Sequence, residues 1–179
     1  MKKVFVIFIL LLKMNSYAQE CPPEGDNKHE KIQAADRLKN RSYCPDKEKA
    51  IAVELSHLMK DKVSDTGFVY VDAYITSAKI SGVESCECHI KDKSFQDYHI
   101  YIAEQPDDKT GANNQIVEVS RYSRQINPGI DFKYVKSLVG HKVRIYGYTF
   151  MDEEHKSAIG DWRAGIQEIH PVFYIDKLD

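Results

Sequence analysis

The spacing of hydrophobic residues changes near Gly67, and this change divides the chain into two parts. Before Gly67, apolar residues recur at intervals of three or four, which predicts helices over residues 28–40 and 47–61. After it, apolar and polar residues alternate, which is typical of strands with one buried and one exposed face. We therefore expect an N-terminal arm with helices over residues 19–65 and a β-rich part over residues 66–179.

Five strands and one short helix are predicted in the β-rich part. The strands cover residues 67–80, 97–103, 115–121, 142–150 and 163–175. The helix covers residues 131–138, so it lies between the third and fourth strands. Three strands, a helix and two strands are the connectivity of an OB-fold, a five-stranded Greek-key barrel, whereas a β-sandwich usually needs about seven strands. The predicted fold is mainly β: a five-stranded OB-like barrel with an N-terminal helical segment.

Residues 1–18 have the pattern of a secretory signal peptide. Two lysines precede an unbroken apolar run over residues 4–12, and Ser16 and Ala18 place small side chains before a cut ahead of Gln19. The run is too short for a membrane-spanning helix, which needs about 20 apolar residues. We therefore expect an exported protein, periplasmic or secreted, without a membrane span.

The charge of the chain bears on its partners. The full sequence has a formal net charge of −2. Removing the signal takes away Lys2, Lys3 and Lys13, so 22 basic residues face 27 acidic ones and the net charge becomes −5. This balance argues against duplex nucleic acid as a partner, because such binding depends on neutralising phosphates with lysine and arginine. The expected partner is a small ligand or another protein.

Four cysteines remain after the predicted cut: Cys21, Cys44, Cys86 and Cys88. An even number in an exported chain predicts disulfides, and three pairings are possible for four cysteines. The close spacing within residues 86–89 leaves three interpretations open. Structural bridges to distant cysteines come first, soft-metal binding by two thiolates and His89 second, and a redox-active bridge third.

Polar residues on the outer face of the second and third strands form the main candidate site. In OB-folds this face binds ligands, together with the loop between the fourth and fifth strands, here residues 151–160. The predicted ligand-binding residues are Asp97, His99, Tyr101, Glu118, His155, Trp162, Arg163, Glu168 and His170. They predict an exported OB-like binding module, with a structural envelope protein or partner-binding protein as one alternative.

Imidazoles and carboxylates of this set also predict a metal site. His99, Glu118, His155 and His170 are the expected ligands of a divalent ion such as zinc. With an open coordination position, such a site would support a metal-dependent hydrolase acting on a phosphodiester or similar bond. The opposing interpretation is that the acidic loop is solvated and each histidine is hydrogen-bonded locally, since no compact motif such as H-E-x-x-H occurs.

A second candidate surface combines aromatic and basic side chains. Its members are Arg121, Tyr122, Arg124, Arg144, Tyr146, Tyr148, Trp162 and Arg163. Aromatic rings interleaved with arginine are typical of platforms for single-stranded nucleic acid or for sugars. The alternative is that the tyrosines simply cover a small barrel, and the negative net charge weakens the nucleic-acid version.

Several spaced motifs together resemble a group of exported bacterial proteins of unassigned activity. The motifs cover residues 38–41, 83–89, 97–100 and 117–119, and then Trp162-Arg163 with EIHPV over residues 168–172. They span most of the chain beyond the signal. The resemblance implies an exported protein with an OB-like fold, and it implies no reaction.

Overall fold

In a computed structural model, residues 21–64 and 67–179 are described, so the predicted signal peptide lies outside the described residues. The strands are β1 (Ile51–Ala52), β2 (Phe68–Ile80), β3 (Tyr98–Ala103), β4 (Gln115–Val119), β5 (Lys142–Met151) and β6 (Gln167–Lys177). The α-helices are α1 (Glu30–Lys39), α2 (Leu55–Leu58), α3 (Arg121–Ile126) and α4 (Phe132–Ser137). Short 3₁₀ helices cover Lys47–Lys49, Ser85–Glu87, Gly111–Asn113 and Glu153–Ala158.

Five of these strands close into a barrel, which confirms the predicted fold class. Antiparallel pairs join β2 to β3, β3 to β4, and β6 to β5, while β4 and β6 run parallel. Pairing of β5 with β2 completes the ring. Two helices, α3 and α4, lie between the third and fourth strands of the barrel, as expected for an OB-like barrel.

Alternating apolar residues fill the barrel, as the period of two predicts. The residues that point inward from the five strands include Val69, Val71, Ala73, Ile75, Ile100, Ile102, Val117, Val119, Val143, Ile145, Ile169 and Val172. Val135 of α4 and Leu138 pack against the same core. Full burial of each such side chain contributes roughly 1.5–3 kcal/mol relative to exposure. The residues between them point outward, and this outer surface carries the polar chemistry.

The short helices before β5 begin at capping side chains. Ser120 Oγ accepts a hydrogen bond from the backbone N–H of Ser123 at the start of α3. The Asp131 carboxylate accepts from the backbone N–H of Tyr134 at 2.6 Å at the start of α4. Such caps satisfy donors that the first helical turn leaves unpaired, so the sequence itself sets where both helices start.

The barrel is least regular where β4 meets β6. Backbone register joins these strands at a single pair, Val117 with Ile169, whereas β5 and β6 are paired along most of their length. We call this contact the β4–β6 seam. Gly147 of β5 lies opposite the same part of β6, and a Cβ there would approach the Pro171 carbonyl oxygen to 2.4 Å. Only glycine therefore fits at this crossing.

The N-terminal part differs from the prediction in one respect. α1 confirms the helix predicted over residues 28–40, but the helix predicted over residues 47–61 is wrong. Part of that segment forms β1, which pairs in parallel with β2 and leaves Ile51 67% exposed, while Leu55 and Leu58 of α2 enter the core. Pairing with the edge of β2 overrides the helical spacing.

One disulfide links the N-terminal segment to the loop between β2 and β3. Cys21 and Cys88 are joined at an S–S distance of 2.06 Å and are 67 residues apart in sequence. Cys44 and Cys86 are free thiols, so the prediction that all four cysteines are bridged is wrong for these two. Their surroundings differ: Cys44 packs near the aromatic side chains around Phe173, whereas Cys86 Sγ contacts the Glu84 carboxylate. Among the described residues, no helix has the length and apolar character to cross a bilayer.

Candidate functional site

The outer face of β3, β4 and β6 is covered, not open to solvent. Residues 21–40 and the loop over residues 81–97 lie across it, fixed by the disulfide. Lys39 at the end of α1 is buried and forms an ion pair with Glu84 at 3.2 Å. The next residue, Asn40, donates from Nδ2 to the Cys86 carbonyl oxygen at 2.8 Å. The polar face therefore lies on the outside of the barrel, as predicted, but the segments that cover it were not predicted.

The small exposed fractions of the predicted site residues show that the cover is nearly complete. His99 is 8% exposed, Glu118 is 6% exposed and His170 is 1% exposed. Asp97, Arg163 and Glu168 are buried as well. These six predicted binding residues are therefore buried, and their roles in ligand binding stay predictions. Their side chains contact one another and the covering segment.

A row of alternating charges runs beneath the cover, and we call it the ionic chain. His170 lies between two carboxylates, with Nε2 3.0 Å from Asp97 Oδ2 and Nδ1 3.2 Å from Glu168 Oε1. Glu168 Oε2 accepts from Arg163 Nη2 at 3.3 Å. Arg163 Nη1 then donates to Asp152 Oδ2 at 2.5 Å. His155 Nδ1 lies 2.7 Å from the same Asp152 oxygen, and the half-exposed His155 ring brings the chain to the surface.

Arg163 is the centre of this chain. Its side chain is completely buried, which is rare for arginine unless every donor has a partner. Besides its two carboxylates, it donates from Nε to the Gly165 carbonyl oxygen at 2.6 Å and from Nη2 to that of Ile166 at 2.9 Å. It therefore fixes the loop before β6 onto the barrel.

Burial shifts the ionisation of several groups beneath the cover. It lowers the pKa of His99 to about 3, with a further contribution from the charge of Lys79, so this imidazole is neutral. Burial also raises the pKa of Glu118 well above its ordinary value. For His170, burial alone lowers the pKa, but the hydrogen bonds to Asp97 and Glu168 raise it well above the usual range. The ionic chain thus holds His170 as a cation.

Three of these side chains converge closely enough to share a metal ion. Asp97, Glu118 and His170 each offer one ligand atom, and these atoms lie within 4.8 Å of one another. Of the predicted ligands His99, Glu118, His155 and His170, this group contains Glu118 and His170, and Asp97 joins them. His155 is held by Asp152 at the far end of the ionic chain, and His99 borders the group with Nδ1 3.5 Å from Glu118 Oε1.

An open cleft lies beside the covered face. It has a volume of about 250 Å³ and is bounded by β2, β3 and the loops before β4 and β6. The residues that line it are Thr76, Ser77, Tyr101, Lys109, Gly111, Asn114, Asp161 and Trp162. Two predicted binding residues, Tyr101 and Trp162, supply half-buried rings. His99 connects the two regions, since its ring stacks on Tyr101 at a centroid distance of 5.0 Å and lies 5.8 Å from that of Trp162.

The cleft is built on a rigid contact between two loops. A Cβ on Gly111 would lie 1.9 Å from the Asp161 carbonyl oxygen, so the backbones touch at this point. Asn114 also links the two loops, because its carbonyl oxygen accepts a hydrogen bond from the Ala164 N–H at 2.7 Å. Its side chain accepts from Thr76 Oγ1 at 2.7 Å. These contacts hold the shape of the cleft without a ligand.

No protein-family model and no curated protein matches this chain. The resemblance to exported bacterial proteins stays a prediction.

The predicted aromatic and basic surface does not form one platform. Arg144 is paired with Asp72 at 2.6 Å and lies over the ring of Tyr70. These residues border an open groove of about 630 Å³ beside β1. Arg121 and Arg124 instead lie over other rings, near residues 94–98. Of the predicted platform, only Trp162 reaches the cleft.

Several important residues were not predicted. Asp152 was seen only as part of an acidic loop, and Lys39, Glu84 and Asn114 had no assigned role. The sequence offers one retrospective signal: a lone Trp-Arg pair after a glycine-containing loop, followed by alternating Glu and His in a strand. This pattern indicates a buried arginine with a carboxylate partner nearby in sequence, but it does not identify a more distant partner such as Asp152.

Proposed function

We propose that this protein is an exported binding module that holds one sugar residue of an oligosaccharide in the cleft between Tyr101 and Trp162. The observation that carries this proposal is the cleft itself, a preformed hollow with two aromatic rings and polar groups around them. Sugar rings present an apolar face that packs on aromatic side chains and hydroxyl groups that need hydrogen-bond partners. Both kinds of group are present here.

The polar groups of the cleft suit a neutral, hydroxyl-rich ligand. Lys109 and Asp161 are exposed at its rim with opposite charges, and Ser77 offers a hydroxyl on β2. A volume of about 250 Å³ is below the range of roughly 300–1,000 Å³ typical of pockets for drug-sized ligands. One ring of a longer ligand therefore fits the space better than a whole oligosaccharide.

The charge of the chain favours a sugar over a nucleic acid. OB-like surfaces bind both oligosaccharides and oligonucleotides. Binding of single strands relies on a basic groove along the backbone as well as on stacking. Here the chain is acidic overall, and Arg121, Arg124 and Arg144 lie away from the cleft, over their own aromatic partners. Arg163, the other arginine of the predicted platform, is completely buried and paired with carboxylates.

The hydrolase alternative has weaker support. A hydrolytic metal site needs an open position that the substrate can reach. Asp97, Glu118 and His170 are buried beneath residues 21–40, so a substrate has no contact with them in this arrangement.

Export rests on separate grounds. Disulfides persist mainly in oxidising compartments, and the Cys21–Cys88 bridge accords with the predicted signal over residues 1–18. An extracytoplasmic location would also place the cleft where glycans of the cell envelope occur.

Isothermal titration calorimetry tests the proposal with soluble chito-, cello- and malto-oligosaccharides as probes. We expect at least one series to bind, and Tyr101→Ala and Trp162→Ala each to weaken that binding about tenfold or more, equivalent to ~1.4 kcal/mol. Tyr43→Ala is the matched control, because Tyr43 is 67% exposed and lies outside the cleft lining. Equal affinities for the wild type and both cleft variants, or binding of oligothymidylate alone, would contradict the proposal.

A further inference from the structure

We propose that Asp97, Glu118 and His170 bind a structural divalent cation, with zinc as the best match, across the β4–β6 seam. This site is separate from the sugar cleft and does not depend on the function proposed there.

The position of the three side chains explains what such an ion would do. Glu118 directly follows Val117, and His170 directly follows Ile169, the two residues that form the single backbone pair of the seam. Asp97 approaches from the loop just before β3. An ion held by all three would link β3, β4 and β6 where the main chain provides least pairing.

The donor set has the chemistry of a zinc site. Zinc binds histidine nitrogen and carboxylate oxygen at about 2.0–2.2 Å. Ligand atoms within 4.8 Å of one another can approach a common centre at such distances after small rotations. The alternative ions, manganese and magnesium, favour oxygen ligands, so the nitrogen ligand of His170 fits zinc better.

Glu168 fills the supporting role that metal-bound histidines require. A histidine that binds zinc through one ring nitrogen usually donates a hydrogen bond from the other to a carboxylate. Here His170 Nε2 faces Asp97, while Nδ1 lies 3.2 Å from Glu168 Oε1. Zinc would therefore replace the proton that the His170 cation carries on Nε2 in the metal-free protein, and Nδ1 would keep its hydrogen bond to Glu168. Arg163 holds the second oxygen of Glu168 at 3.3 Å, so the orienting carboxylate is itself fixed.

His99 offers a further nitrogen donor beside Glu118. His99 is 8% exposed, with its Nδ1 3.5 Å from Glu118 Oε1. Its Nε2 has no hydrogen-bond partner among the described residues. Because Nδ1 is the nitrogen that lies beside Glu118, it is the atom of His99 that is placed to serve as a fourth donor.

The test measures zinc in the wild-type full-length protein after refolding from denaturant, first with a chelator and then with Zn²⁺ alone. We expect one tightly held zinc per chain by elemental analysis after dialysis, and a higher melting temperature in the zinc-refolded protein. Refolding with Co²⁺ should give the absorption bands of a histidine- and oxygen-coordinated ion. A wild-type protein that holds no metal and melts at the same temperature under both conditions would overturn the proposal.

Variants locate the ion once the wild type has bound it. Glu118→Gln and His170→Gln should remove stoichiometric zinc, and Glu168→Gln should weaken it by about 10–100-fold as a supporting carboxylate. His57→Gln, at an exposed histidine of α2, is the matched control and should retain zinc. The glutamine side chains preserve size, and circular dichroism of each variant reports folding. Zinc retained at full affinity by folded Glu118→Gln and His170→Gln proteins would overturn the site.

Discussion

The covered ionic chain and the open cleft lie side by side on the same outer surface of the barrel, but their side chains differ in charge and in exposure to solvent. The ionic chain consists of charged side chains that are buried except for His155 at its end, each paired with a partner of opposite charge. The cleft consists of half-exposed aromatic rings and polar side chains around an open volume. His99 contacts both, through Glu118 on one side and Tyr101 on the other.

This difference separates stability from binding. Breaking a buried ion pair leaves an uncompensated charge and is strongly destabilising. Truncating an exposed ring costs little stability but removes a contact that a ligand could use. We therefore expect changes in the ionic chain to alter unfolding, and changes in the cleft to alter binding with little effect on unfolding.

The largest effect is expected from Arg163→Met. This change leaves Asp152 and Glu168 buried without their shared cation. We expect a loss of about 3–5 kcal/mol in the free energy of unfolding, measured by urea denaturation. Arg144→Met is the control, since the exposed Arg144–Asp72 pair should contribute at most about 1 kcal/mol. Similar losses in the two variants would show that the ionic chain has no special role.

Removal of the disulfide should have the next largest effect. Replacing both Cys21 and Cys88 by serine frees the segment that covers the ionic chain. Closure of a loop of this length typically stabilises a protein by about 2–4 kcal/mol. Hydrogen exchange should rise in residues 21–40, while the cleft keeps its affinity for sugar. Replacing the free Cys44 by serine is the control and should change stability little.

The pH dependence of stability offers a third test of the covered region. Burial, reinforced by the charge of Asp97, raises the pKa of Glu87 from 4.5 to about 8. Between these values the folded state keeps a proton that the unfolded state has lost, so stability should fall as the pH rises through this window. Over the middle of this window, from roughly pH 5.5 to 7.5, the expected fall attributable to Glu87 is about 2–3 kcal/mol, since each pH unit contributes about 1.4 kcal/mol. Glu87→Gln, measured in parallel with chelator present, should flatten the curve; an unchanged slope would contradict this assignment.

The smallest effect on unfolding is expected in the cleft. Gly111→Ala places a Cβ against the Asp161 backbone, so the two loops must separate. We expect a loss of about tenfold in sugar affinity, with a change in the free energy of unfolding of about 1 kcal/mol. Gly82→Ala is the matched control, because nothing lies within 4 Å of the added Cβ. Equal affinity in the two variants would remove the cleft from the binding surface.

The sequence predicts the barrel well and its cover poorly, and the physical reason is the range of the interactions involved. Alternation along a strand, as in β2, follows from its own neighbours and shows which side faces the core. The cover depends on contacts such as Lys39 with Glu84, and the ionic chain beneath it on contacts such as Arg163 with Asp152, which no local pattern encodes. The same limit explains the wrong helix over residues 47–61, where pairing of β1 with β2 overrides a good helical pattern.

The same limit applies to the candidate site: the convergence of its residues could be predicted from the sequence, whereas their burial could not. Asp97, His99, Glu118, Glu168 and His170 do converge, because the barrel connectivity brings their strands together. Their burial could not be read from the strands alone, since an outward-facing histidine has the same pattern whether or not another segment lies over it. Tyr101 and Trp162 remain accessible only because Gly111 and Asn114 hold the neighbouring loops in place.

Fluorescence of Trp162, the single tryptophan of the chain, reports directly whether a sugar binds in the cleft. Each oligosaccharide that binds in calorimetry is titrated into the wild-type protein while the emission of Trp162 is recorded. We expect a saturable change in emission with the same dissociation constant as the calorimetric one, because the sugar packs against this ring. Calorimetric binding with unchanged Trp162 emission would place the sugar outside the cleft and overturn the proposed function.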